Sequence, residues 1–178
     1  MTAITFDKNN NISPPEPISL PSGEIRNILV FNEQRRKLWL AYLGIIDTLH
    51  TLLESNEFEV WIDGVFASQM EDPKIITFCI CINHQVLDTL SEDRKTILRQ
   101  FIAQDKPPTA ACLSLEEEYA CQMQIILKDN NPKSFIQATL FQPIYEKKKQ
   151  DFLHDEAGNP KGYFIYNSQK GEEPCKKS

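Results

Sequence analysis

The sequence predicts an α/β (α+β) fold, a mixed β-sheet flanked by helices. Segments with helical spacing alternate along the chain with short strand-like runs. Residues 75–82 form a nearly continuous apolar run, as expected of a strand covered on both faces. At 178 residues the chain suits one domain. A domain of that size buries roughly 70% of its unfolded surface, so its core suffices without a disulfide or a metal.

Residues 1–24 are polar and carry Pro14, Pro15, Pro17 and Pro21, which reads as an extended arm with Ile18 and Leu20 placed to dock on the domain. Asn32 caps a helix expected to run to about Ser55. Leu38, Tyr42, Ile45, Ile46, Leu49, Leu52 and Leu53 make one face of it. Arg35, Arg36 and Lys37 lie in its first turns, where cations oppose the helix dipole. A solvated helix end accounts for them; a basic contact site is the alternative.

Residues 58–63 read as a strand broken by Gly64, and a polar loop through Pro73 leads to the central strand at 75–82. Residues 88–104 read as a helix capped by Ser91 and stopped by Lys106-Pro107-Pro108. The next strand, 119–127, sets Cys121, Met123, Ile125 and Leu127 on one face and Gln122, Gln124 and Ile126 on the other. A helix starting at 133–141 is interrupted by Pro143 and resumes over 144–153. A turn at 155–158 and a short strand at 163–166 follow, and residues 168–178 are expected to be a disordered tail. The expected division is an arm at 1–24, one domain at 25–167 and the tail.

Acidic residues outnumber basic ones by 25 to 19, a net charge of −6, which argues against broad binding to nucleic acid or anionic membrane. The longest apolar runs, 38–46 and 75–82, fall far short of the roughly 20 residues a spanning helix needs. With no secretory signal pattern at the start, the cytoplasm is the expected compartment. The five cysteines are odd in number and mostly in apolar surroundings, which suits buried reduced thiols. Cys79 and Cys81 share a strand face, but only His84 is near, too few ligands for zinc. No metal or cofactor is expected. His50, His84 and His154 have no local nucleophile signature beside them, and no glycine-rich phosphate loop is present. Lys147, Lys148 and Lys149 read as the exposed side of a helix.

Several short motifs occur in a fixed order: Leu20-Pro21-Ser22-Gly23, Arg35-Arg36 on the long helix, Asp63-Gly64-Val65-Phe66-Ala67-Ser68 after a strand, and Pro160-Lys161-Gly162 near the end. This order resembles a family of small bacterial proteins with a nucleotidyltransferase-like fold, over roughly residues 18–166. In that family an Asp-Gly-Ser-Phe strand end precedes a Pro-x-Asp-x-Asp pair, and Pro-Lys-Gly closes the domain. The resemblance implies two carboxylates on one strand face that hold magnesium for nucleotidyl transfer, with a third on a neighbouring strand.

The chain departs from the pattern where that chemistry would lie. Aligned on Pro73, Ile75 and Thr77 stand at the two acid positions, and Val65 replaces the serine. Gln122 or Gln124 stands where the third acid belongs. Magnesium binds hard, usually anionic oxygens, which these residues do not supply. Gly64, Phe66, Pro73, Pro160 and Gly162 remain as turn and packing residues, and the Ser68 hydroxyl is a candidate to replace the missing one, although a serine at a strand-to-loop junction ordinarily caps or turns the chain. The expectation is therefore a degenerate, non-catalytic cleft formed by Gly64, Val65, Phe66, Ser68, Ile75, Thr77, Gln122 and Gln124. The implied role is protein binding, as an antitoxin or immunity protein that neutralises a toxin or effector domain. Candidate contacts are the acidic run Glu116, Glu117 and Glu118 and the aromatics Trp39 and Tyr145. The alternative is nucleotide binding or transfer through the displaced acids Glu71, Asp72 and Asp63.

Overall fold

The computed structural model describes residues 4–54, 57–102, 120–131 and 133–169. A hairpin of β1 (Thr5–Phe6) and β2 (Ile12–Ser13) opens the chain, followed by β3 (Pro17–Ser19), α1 (Ser22–Leu29) and α2 (Glu33–Leu53). Then come β4 (Glu57–Asp63), β5 (Ile76–Asn83), α3 (His84–Thr89) and α4 (Glu92–Ile102). The last elements are β6 (Cys121–Lys128), α5 (Gln142–Phe152) and β7 (Tyr163–Gln169). The main sheet has the order β3-β7-β4-β5-β6. It is mixed: β3 with β7 and β5 with β6 are parallel, and β4 is antiparallel to both neighbours. The fold is α+β.

Both faces of the sheet are covered. On one, Val60, Ile62, Ile76, Phe78, Ile80, Ile82, Phe164 and Tyr166 meet the buried side of α2. The Tyr42 and Tyr166 hydroxyls join by a hydrogen bond across this interface, and His50 Nε2 lies 2.9 Å from Ser168 Oγ. On the other face, Trp61, Cys79, Cys81 and Tyr163 pack with Phe152 of α5. This two-sided cover explains why β5 is apolar from Phe78 to Ile82. Asn32 caps α2 as its position predicts, its Oδ1 accepting from the Arg35 N–H at 2.9 Å.

Several expectations are corrected. Residues 4–20 of the expected arm are a hairpin followed by β3; Ile18 and Leu20 pack against the core, but Pro17–Ser19 is a strand of the main sheet. The arm's expected end also falls inside α1, which starts at Ser22. Within the helix expected at 88–104, α3 ends at Thr89, Leu90 is extended and Ser91 caps α4, while residues 103–104 lie outside the described residues. Pro143 does not interrupt its helix. In an α-helix its ring would press on the carbonyl of Thr139. Instead a π-helical turn at Gln137–Phe141 widens the backbone, and Pro143 falls in the first turn of α5, where its missing N–H costs nothing. The last strand runs to Gln169, so Ser168 is a buried strand residue and not part of a tail. The stop at 106–108, Cys112, Cys175 and residues 170–178 lie outside the described residues.

Two glycines are required by their surroundings. Gly162 donates its N–H to Ile12 O, and a Cβ there would stand 2.6 Å from Pro14 O. Gly64 turns the chain out of β4 with φ +71°.

Arg35 is the main departure from the solvated helix end expected of it. It is fully buried, 0% exposed. Its guanidinium donates to Leu29 O at 3.0 Å, Phe66 O at 2.7 Å, Ser68 O at 2.7 Å and Met70 O at 2.6 and 3.0 Å. The Phe31 and Phe66 rings lie 4.4 and 5.1 Å from its central carbon. Burial draws its pKa down to about 10, so it stays a cation at neutral pH. Arg35→Met should lower stability by about 3 kcal/mol or more, because it strands several buried carbonyls at once. Arg35→Lys should recover only part of that loss, since one ammonium cannot reach four carbonyls spread over a planar fork. Urea unfolding of the three proteins measures both effects.

Candidate functional site

The residues expected to line a cleft lie where β4 ends beside the start of β5 and β6. Asp63 stands opposite Thr77, and Thr77 opposite Gln122, so the three form one row across the sheet. Gln124 lies one row further in, opposite Cys79. Residues paired this way share a face. Thr77 Oγ1 is 3.4 Å from Gln122 Oε1, and the position of a Cβ on Gly64 is 3.3 Å from Thr77. After Gly64 a 3-10 turn exposes Val65 and buries Phe66, which stacks on Trp39. Ile75 lies just before β5, half-buried.

The structure therefore brings Gly64, Thr77, Gln122 and Gln124 to one face. Ser68 instead closes the turn, donating to Val65 O at 2.6 Å and accepting from the Met70 N–H at 3.1 Å. Glu71 and Asp72 are exposed, in the loop that Asn32 and Arg35 hold to α2. Asp72 pairs with Lys74.

Asp63 is the one carboxylate in the row. Lys161 Nζ donates to it at 2.5 Å, and both side chains are largely buried. Burial pushes the Asp63 carboxyl up, and Lys161 pulls in the opposite direction without reversing the shift. Lys161 belongs to the Pro-Lys-Gly motif, in which nothing local marks the lysine as a site residue. Among the described residues, no group of three or more His, Cys, Asp or Glu could hold a metal ion. Cys79, Cys81 and Cys121 are buried thiols. Contact with Cys79 and burial push Cys81 up, and burial pushes Cys121 up to about 12. Neither is a ready thiolate.

The proposed protein contacts fare differently. Trp39 is 2% exposed and belongs to the core between Tyr42 and Phe66, so it is not an exposed anchor. The reason is the width of the buried face of α2, which takes in both Leu38 and Trp39. Tyr145 is half-buried, edge-on to Trp61, and donates to Glu59 Oε1 at 3.1 Å. Burial, and then Glu59, push its phenol up. Glu116, Glu117 and Glu118 lie outside the described residues.

Sequence reasoning missed an exposed apolar strip on the helical segment 135–144. Phe135 is 81% exposed, and Ile136, Leu140 and Ile144 are exposed beside it. The spacing of these residues was readable, but the segment looked like an interrupted helix with no face of its own.

The chain belongs to a family of unknown function, DUF6932, which matches residues 4–165. No curated protein and no solved structure matches it.

Lys161→Met should destabilise the fold by about 3 kcal/mol at neutral pH, because it leaves a buried carboxylate without its counter-charge. Asp63 already has a raised pKa, and losing Lys161 raises it further. A group raised in the folded state favours folding when protonated, so the deficit should shrink as pH falls through that raised value. Denaturant unfolding of both proteins from pH 7 to pH 4 reads this directly.

Proposed function

We propose that the protein acts by binding another protein and not by transferring nucleotides, with neutralisation of a toxin as its role. The carrying observation is the row Asp63–Thr77–Gln122. Its one acid is held by Lys161, and the positions that resemble metal ligands are Ile75, Thr77, Gln122 and Gln124. A site with that donor set has no means of neutralising a triphosphate. The scaffold of a degenerate nucleotidyltransferase would then serve as a preformed surface, which is all that a stoichiometric inhibitor needs. The exposed strip of Phe135, Leu140 and Ile144 supports this reading, since large apolar side chains gathered on a surface mark contact sites.

Labelled nucleotides with magnesium or manganese should give no incorporation into protein, RNA or small alcohols. Incorporation above background that disappears in Asp63→Asn would overturn the non-catalytic reading. For the binding reading, a protein captured from the native host is co-expressed with this chain. Growth should be restored, and a stable complex should elute from a sizing column. Phe135→Asp should weaken that complex at least about tenfold with little change in melting temperature, as for an exposed anchor. A captured protein that is toxic alone and equally toxic in the presence of this chain sinks the proposal.

A further inference from the structure

The main sheet ends at β3, which has β7 on one side and no strand on the other. Leu20 donates its N–H to Ile165 O at 3.1 Å, and Ser19 is the residue paired with Ile165. In a parallel ladder this pairing turns the N–H and C=O of Ser19 away from β7, toward the open edge. Pro17 has the same direction as Ser19, and it has no N–H to leave without a partner. An edge with a donor and an acceptor turned outward is a template for another strand.

A groove of about 390 Å³ accompanies this edge. Its apolar lining comes from Ile18 and Leu20 beside the edge, Ile28 of α1 and Ile4 just before the hairpin, all partly buried against the core. Two carboxylates complete it. Glu16 lies an even number of residues from Ile18 and Leu20 and so shares their face. Glu24 stands one turn before Ile28 on α1. Both glutamates are exposed. Among the described residues no cation lines the groove, and neither carboxylate makes an ion pair or a hydrogen bond. The groove therefore combines apolar surface, uncompensated negative charge and an open strand edge.

We propose that the edge of β3 binds an extended segment of another protein that carries a cationic and an apolar side chain on either side of one residue. That middle residue pairs with Ser19 in antiparallel fashion, donating its N–H to Ser19 O and accepting from the Ser19 N–H. Its two neighbours then share the face of Ile18 and Leu20 and enter the groove. The cation meets Glu16 and Glu24, and the apolar side chain lies against Ile18, Leu20 and Ile28. A second copy of this chain is a poor occupant. Pairing β3 with β3 would set the two grooves side by side, four glutamates in all with no lining cation between them. The surface is also separate from the strip around Phe135, which belongs with β6 at the other edge of the sheet. It does not rest on the toxin-binding reading.

The test is a titration of the full, isotopically labelled chain followed by amide chemical shifts. The probe is the end-capped peptide Thr-Arg-Thr-Ile-Thr. One control replaces its Arg by Glu, and a second methylates the nitrogen of the middle Thr, which removes the N–H that pairs with Ser19 O. Saturable shifts at Ser19, Leu20 and Ile28 are expected with the probe, and binding about tenfold weaker with either control. Glu16→Gln combined with Glu24→Gln changes only exposed side chains. It should weaken the probe about fivefold and bring the Arg and Glu peptides close to one affinity. Ser19→Pro removes the outward N–H at an edge position that tolerates proline, and should weaken the probe about tenfold. Should that variant not fold, the methylated peptide decides the pairing on the native chain. No saturation with the probe, equal affinity for either control, or unchanged binding in the double glutamine variant or in a folded Ser19→Pro would each overturn the assignment. So would a native dimer on a sizing column that Ser19→Pro dissociates.

Discussion

The structure depends on one buried cation, Arg35, which has no carboxylate partner among the described residues. Arg35 gathers the end of α1, the turn after β4 and the loop before β5 onto the start of α2 through carbonyl oxygens alone. Removing a full charge from water is expensive, and only a planar group with five donors can recover that cost from neutral acceptors pointing in several directions. The geometry also runs the other way. Each carbonyl that Arg35 takes is one that the irregular chain between β4 and β5 would otherwise leave buried and unsatisfied. The placement of Phe66, and of the turn at Gly64 beside the row of Asp63, Thr77 and Gln122, follows from where that guanidinium sits.

The second organising feature is the polar seam on the face under α5. Trp61, Tyr145 and Lys128 converge on Glu59 in the middle of an aromatic layer. Burying a carboxylate there is tolerable because two donors satisfy one oxygen and an ammonium lies near the other.

Much of this was legible in the chain. The β5 strand announced itself because an uninterrupted apolar run has only one comfortable place in a mixed sheet. The α2 helix did so because Asn32 and the spacing of Leu38, Tyr42, Ile45 and Leu49 agree. That Ile75, Thr77 and Gln122 carry no carboxylate was visible as residue types before any geometry. Arg35 was not legible, because an arginine in a first turn is ordinarily solvated, and only tertiary contacts reveal four carbonyls aimed at one point. Trp39 was misplaced because the buried face of α2 is wider than the stripe its strongest apolar residues mark. Lys161 escaped notice because its partner Asp63 lies far away in sequence, and no local pattern joins them. The strip around Phe135 was obscured by Pro143, which in sequence signals a break that the π-helical turn absorbs.

The sheet order β3-β7-β4 sets the last strand between the first strand of the sheet and one from the middle of the chain. Pro17–Ser19 has β7 as its neighbour in the sheet, and β7 is made only after α2, β4, β5 and β6. On a ribosome, the early strand therefore emerges with nowhere to pair. It must wait through the synthesis of α2, β4, β5 and β6, and joins only when β7 enters the gap beside β4. Closing that loop carries an entropic cost that grows slowly with its length. Contacts of such long sequence separation also make folding slow. The register of β3 and β4 against β7 is thus decided late, by a strand that must fit two neighbours at once.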